Sequence, residues 1–448
     1  GRTGAIALAA TGVAAAYIDV VAVTTLYEWV APAVGLLLAA VIGGAGLTLA
    51  RRWDSQHLGL LVLVPLLILA PIVVDGISLL MTGFMLALSA AALPVQLGRD
   101  WIWLHGVRTA AVTVPLLIAL TAISFGSGED PWLLGGACGV AALLAVVGAL
   151  ILLPSTANRV AMALLTVAGT APVLLAGLTV NRTLGALLAA ALSAVMLAVV
   201  TGGRRIPGVA GPVVQIWSAL SAVSALIAVT VAFDGYVASP VLLALSLVTA
   251  VAGRNSSVVR WAAIGFAVFG ALLMLAYAPV STLFAATVLP TWMAVSVLAA
   301  SLLLVACAIA IAWSAQVADE AQRSLWWGIA AVVSSYAVTT FTVTAGVLVA
   351  GVDGGFLAGH MAATICWIAT AAALFVVALR RPREDRTAPI AGGLALTAAA
   401  TAKLFLFDLG TLDGMFRVAA FIVVGLVLLG MGAGYARSLV QQDRSRPA

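Results

Sequence analysis

Two ionisable side chains stand inside long apolar runs: Asp19 in AYIDVVAVTTLYEW and Lys403 in TAAATAKLFLFDLG. An unpaired charge at mid-bilayer costs at least ~2.5–3.5 kcal/mol, so such residues mark ion paths, proton relays or ligand sites, or else find a partner. Asp19 precedes Tyr27 by eight residues and Lys403 precedes Asp408 by five. At 1.5 Å per residue that sets them roughly 12 Å and roughly 7–8 Å below the outer helix ends. The long Lys stem can bridge this difference, so an Asp19–Lys403 pair or a shared polar pocket is the sharper reading. The blander one has Lys403 snorkelling to the outer headgroups and Asp19 accepting hydrogen bonds from nearby hydroxyls.

Three further sets of residues could bind or position a polar group. The outer turn Asp408–Arg417 (DLGTLDGMFR) carries Asp413 and Arg417 at i, i+4, the spacing of a helical ion pair. With Arg182 beside it, Arg417 would take a lipid phosphate in its planar fork; otherwise the turn is a helix start with Asp at the positive dipole end. Ser335, Thr339 and Thr342 share one helix face with Gly346. That stripe would line a hydrated path, or else serve as close-packing contact between helices. The segment GRDWIWLHGVR (98–108) sets two Trp between basic residues and reads as an interfacial turn on headgroups. His57 and His105 fall at inner loops and His360 near an outer span end, with no HExxH or Cys/His cluster, so neither a metal nor a cofactor is expected. Cys138, Cys307 and Cys366 lie in apolar runs and read as packing residues. No catalytic set is expected.

The elements that hold these residues follow from composition. Of 448 residues, 64 % are hydrophobic and 8 % charged, with a mean hydropathy of +1.21. Soluble domains average about 25 % charged residues, so a soluble enzyme, a disordered chain and a nucleic-acid-binding domain are excluded. Apolar runs of spanning length recur from 4–26 to 417–436, and about 20 residues make one helical span. The fold class is therefore all-α and polytopic, with about 16 transmembrane helices arranged as eight in-out-in hairpins. Residues 1–448 read as a single transmembrane domain without a soluble one. The semi-apolar stretch Ala278–Pro290 is the least regular, bracketed by Pro279 and Pro290.

Sidedness follows from charge. With the N-terminus inside, every basic residue except Arg182, Lys403 and Arg417 falls in an inner loop. Glu28, Asp75, Glu129, Asp130, Asp234, Asp353, Asp408 and Asp413 fall outside. Such a bias orients membrane proteins and places both termini in the cytoplasm. Tryptophans such as Trp29, Trp53, Trp101, Trp103, Trp132, Trp217, Trp261 and Trp292 sit near span ends, as an aromatic belt would.

The N-terminal stretch through YIDVVAVTTLYEWVAP and LARRWDSQHLGLLVL, with KLFLFDLGTLDGMFRVAAFIVVGLVLLGMGAGY at 403–435, resembles a family of bacterial multi-pass predicted membrane proteins of unknown function. Its members end in a K-L-F-x-x-D-L…R-x-x-x-F segment. The resemblance implies the bacterial cytoplasmic membrane, a cell-envelope setting, and a preceding cytoplasmic part that a chain beginning at Gly1 lacks. It implies no chemistry. Three functions remain open. The first is transport or flipping of a lipid-linked or other amphiphilic envelope component, with a lateral groove and helices broken near Pro65, Pro71, Pro94, Pro115 or Pro172. The second is a scaffold or accessory subunit of an envelope-biosynthesis complex, built as a solid bundle. The third is a polyprenyl-phosphate-dependent transferase using Glu28, the weakest because no outer domain is present. Expected partners are membrane lipids and another envelope membrane protein, not nucleic acid.

Overall fold

The computed structural model describes residues 2–74, 76, 78–124, 130–253, 256–315, 320–382, 385–408 and 414–444. Among the described residues every regular element is a helix. That is what an apolar chain must do in lipid, where a helix is the one open-ended element that pairs its own backbone. Asp75, Glu129, Arg254, Arg383, Asp413 and Arg446, which enter the charge argument, lie outside the described residues.

Among the described residues, fourteen helices are long and apolar enough to cross a membrane, against the sixteen expected. One of them, Ala321–Arg380, is really two. Gly351 has a φ of 78° and begins a π-helical turn, Gly351–Gly355, at which the chain folds back. The last helix, Gly414–Arg444, is absent from those fourteen.

The chain divides into two compact units, Gly1–Ala232 and Phe233–Ala448. The first holds α1 (Arg2–Val21), α2 (Pro32–Arg52), α3 (Gln56–Val73), α4 (Leu79–Gln96), α5 (Ile102–Ser124), α6 (Pro131–Leu152), α7 (Arg159–Thr179), α8 (Arg182–Thr201) and α9 (Pro212–Ala232). Their starts are written locally. Pro32 and Pro131 open α2 and α6, where a missing N–H costs nothing. Ser55, Ser78, Asp130, Asn158 and Asn181 accept a backbone N–H of the first turn of α3, α4, α6, α7 and α8. Pro65, Pro71, Pro94, Pro115 and Pro172 stay within continuous helices, so the breaks expected of a transporter are not at these prolines. Small residues set the closest approach: a Cβ on Gly185 of α8 would stand 2.2 Å from Gly177 Cα of α7.

The second unit holds α10 (Gly235–Ala252), α11 (Ser257–Tyr277), α12 (Thr291–Ser314), α13 (Glu320–Ala350), α14 (Phe356–Arg380), α15 (Thr387–Lys403) and the last helix. Hydroxyls tie α10 to α11, with Ser239 donating to Gly270 O at 2.8 Å and Ser246 to Ala263 O at 2.7 Å. The stretch after Ala278 forms only a 3-10 turn at Val280–Leu283 before α12 begins.

The aromatic belt holds in part. Trp29, Trp103, Trp132, Trp261 and Trp292 are exposed, as interfacial anchors would be. Trp217 and Trp101 are buried instead and belong to the core of the first unit. Cys138 and Cys307 are buried and Cys366 is exposed, all as free thiols.

Candidate functional site

Lys403 closes α15, and its ammonium turns back onto α14. Nζ donates to Thr364 Oγ1 at 2.8 Å and to His360 O at 3.2 Å. Thr364 Oγ1 in turn donates to His360 O at 3.2 Å, so one carbonyl serves both groups. The π-helical turn Leu404–Asp408 follows directly, and Phe407 comes to lie 5.6 Å from the ammonium, measured to the ring centroid. The His360 ring stands between Phe356 and Phe407, at 4.6 and 4.7 Å. A Lys ammonium has three donors and no acceptor. Here a carbonyl, a hydroxyl and an aromatic face replace part of its hydration, which is how a cation is held among apolar helices.

Asp19 lies in the first unit and Lys403 in the second. Asp19 is exposed on α1 and makes no hydrogen bond or ion pair with the described residues. The hydroxyls near it are otherwise engaged: Tyr17 donates to Val62 O at 3.2 Å, and Thr24 and Thr25 to the carbonyls of Val20 and Val21. Arg182 is exposed at the start of α8 and donates through Nε to Val231 O at 2.6 Å. Asp413 and the side chains of Asp408 and Arg417 lie outside what is described, so the outer turn is not placed as a site.

The hydroxyl stripe turns inward on its own helix. Thr339 donates to Ser335 O at 2.8 Å, and Thr342 to Val338 O and Thr339 O at 3.1 Å each. The same face meets α14 closely, since a Cβ on Gly359 would stand 2.7 Å from Thr342 O and one on Gly346 2.2 Å from Gly355 O.

The site that the residue spacing left unnoticed is in α5. Arg108 and His105 stand beyond the loop to which charge counting assigns them. They are 3 % and 1 % exposed, inside the first unit. Arg108 Nη2 donates to His105 Nδ1 at 2.8 Å. An arginine has no acceptor, so this contact fixes His105 as a neutral ring with its proton on Nε2. Among the described residues, neither that Nε2 nor Arg108 Nε has a hydrogen-bond partner. Gly148 of α6 makes the room: a Cβ there would meet Arg108 Nη2 at 2.7 Å and His105 Cε1 at 3.8 Å. Beside the guanidinium is a cavity of about 10 Å³ touched by Ser89, Thr109, Thr113 and Gly169. That is space for about one water.

No carboxylate answers this charge among the described residues. The ion pair of this unit joins Arg99 to Asp54, and Asp100 accepts from Thr156 Oγ1 at 2.7 Å and Ala157 N at 3.1 Å. The headgroup turn expected over 98–108 is thus split. Trp103 faces outward, whereas Trp101, His105, Arg108 and Val112 continue one buried helix face. That i, i+3/i+4 stripe is visible in the sequence once the helix is extended back through the basic turn.

Residues 235–437 match the model of a family described as Predicted membrane protein (DUF2339). The match takes in α10 through α15 and most of the last helix, and with them Lys403, His360 and Thr364. The N-terminal stretch that shares the resemblance, and the Arg108 site, lie outside it. No curated protein and no solved structure matches the chain. Among the described residues, no group of three or more His, Cys, Asp or Glu could hold a metal ion.

Proposed function

We propose that this multi-pass protein moves or flips an anionic amphiphile, such as a lipid-linked component of the bacterial envelope, across the cytoplasmic membrane. In this reading the chain crosses sixteen times with both termini in the cytoplasm, and its partners are lipids and an envelope membrane protein. The observation that carries it is Arg108, buried in a membrane helix without a carboxylate. Arg108 is the seventh residue of α5, about 9 Å from its start, and a buried membrane-helix cation without a carboxylate marks an ion or substrate site by default. Arg is also the side chain suited to receive a phosphate in a low-dielectric site, being weakly hydrated and fork-shaped. Lys403, held by a carbonyl and a hydroxyl, supplies a second cation inside a helical unit.

The test is reconstitution of the full chain into phosphatidylcholine vesicles containing fluorescent phosphatidylglycerol, read by quenching from outside. The labelled lipid of the inner leaflet is expected to become quenchable faster than in protein-free vesicles, and more slowly with Arg108→Leu. A rate equal to that of empty vesicles, with correctly folded protein, would overturn the reading.

One observation favours a scaffold instead. The helices of the first unit run unbroken through their prolines, and the cavity beside Arg108 admits about one water. A scaffold gives no lipid movement and co-purifies from native membrane with a stoichiometric enzyme.

A further inference from the structure

Between α2 and α4 runs an apolar groove of about 720 Å³. Small residues open it: Ala33, Ala40 and Gly44 on α2, and Gly83, Ala87 and Ala91 on α4. Its floor is Leu36, Leu47 and Leu88, all buried. A Cβ on Gly44 or Gly83 would meet nothing within 4 Å, so the space in front of both is open. From Ala33 to Thr48 the groove follows α2 for sixteen residues. That is roughly 22 Å of a hydrocarbon core roughly 30 Å thick. The volume falls in the ~300–1,000 Å³ range of ligand sites.

The end of the groove at Thr48 and Val95 is basic. Arg51 and Arg52 follow Thr48 by one helical turn, and Arg99 follows Val95 by four residues. Arg99 is paired with Asp54, and Arg51 gives one guanidinium nitrogen to Pro94 O. Arg52 is exposed and makes no hydrogen bond or ion pair with the described residues. Three arginines facing one aspartate leave the mouth positive.

We propose that this groove is a binding site for an anionic phospholipid, with one acyl chain lying along Gly44 and Gly83 and the phosphate held by Arg52 and Arg51. The chain's apolar length matches the groove, and its headgroup charge matches the mouth. Arginine takes phosphate oxygens in a planar fork. A phospholipid with a net negative headgroup presents both features on one molecule. The site is separate from Arg108, so it stands or falls without the translocation reading.

The test uses the full chain, delipidated in mild detergent and titrated with phosphatidylglycerol or phosphatidylcholine, with bound lipid counted by native mass spectrometry. The wild type is expected to retain phosphatidylglycerol in preference to phosphatidylcholine. The double variant Gly44→Leu/Gly83→Leu puts side chains into the groove at two positions where a Cβ meets nothing, both changes favour helix, and circular dichroism checks that it folds. It is expected to lower phosphatidylglycerol occupancy about tenfold, equivalent to ~1.4 kcal/mol. Arg52→Gln leaves the groove open and is expected to remove the preference between the two lipids. Wild-type phosphatidylglycerol retention by the folded double-leucine variant overturns the proposal. So does a dimer that this variant abolishes without any lipid bound, which would make the groove a contact between copies of the chain. Lipid movement in vesicles is read separately and is expected to respond to Arg108→Leu.

Discussion

Substituting Gly359 by Ala tests whether the α13–α14 contact depends on missing side chains. A Cβ at that position would stand 2.6 Å from Val343 Cα, 2.7 Å from Thr342 O and 3.0 Å from Val343 N. All three are backbone atoms, so no rotamer change can relieve them. Ordinary contact begins at 3.4 Å, and the helices must therefore part by about 0.8 Å at this level. Overpacking of this kind costs ~1–3 kcal/mol. Gly→Ala inside a helix also returns ~0.8–1.0 kcal/mol of propensity. The clean comparison is Gly328→Ala on α13, where a Cβ meets nothing within 4 Å and the propensity gain stands alone. The two variants should differ by ~1–3 kcal/mol in unfolding free energy, measured by far-ultraviolet circular dichroism in micelles of rising dodecyl sulfate content. Gly346→Ala acts on the same interface, through Gly355 O at 2.2 Å. Because one separation relieves both clashes, Gly346→Ala/Gly359→Ala should cost less than the sum of the single changes. Equal stability of the Gly359 and Gly328 variants, within ~0.3–0.5 kcal/mol, would refute the close-packing argument.

Asn181→Ala removes the side-chain acceptor for Thr183 N and Leu184 N at the start of α8, and should cost ~1 kcal/mol in the same titration. Tyr17→Phe removes the hydroxyl that donates to Val62 O across α1 and α3, and should cost ~0.5–1.5 kcal/mol with little change in helix content. Ser246→Ala deletes the hydroxyl bond to Ala263 O, for which membrane interiors give ~0.6 kcal/mol, in thermal unfolding of the full chain. Arg108→Met should leave the protein as stable or more so, since an unpaired buried charge is lost, while slowing lipid movement in vesicles.

The helical class and most span boundaries were legible because length and hydropathy decide them. Pro32, Asn158 and Asn181 mark starts by the same local rules that hold in soluble helices. Charge counting went astray at Arg108. It treats every arginine as a loop marker, whereas this one continues the buried face of α5. Trp217 is a similar case: position near a span end suggested the interface, but its face on α9 points into the core. The stripe Ser335, Thr339, Thr342 follows from helical spacing, which left its purpose open. Sequence periodicity shows which residues share a face, but only neighbouring backbone shows how closely that face is approached. The fold-back at Gly351 was legible too, since Asp353 marks an outer turn inside the apolar stretch from Ala321 to Arg380.

Half-buried Lys403 and buried Arg108 are handled differently, and the difference bears on which could receive a ligand. Lys403 is surrounded by acceptors suited to an ammonium: a carbonyl, a hydroxyl and a ring face. Such a cation is substantially solvated by its own helices, and its removal should disturb α14–α15 packing first. Arg108 instead rests on one neutral imidazole, with its Nε unpaired. Five donors cannot be satisfied by a single ring nitrogen. An anion reaching Arg108 would gain donors already aligned and already desolvated, so little reorganisation would oppose binding. Gly148 leaves the room that the guanidinium occupies beside α6. Gly148→Ala would press a methyl to within 2.7 Å of Arg108 Nη2 and should therefore alter anion access before it alters the fold.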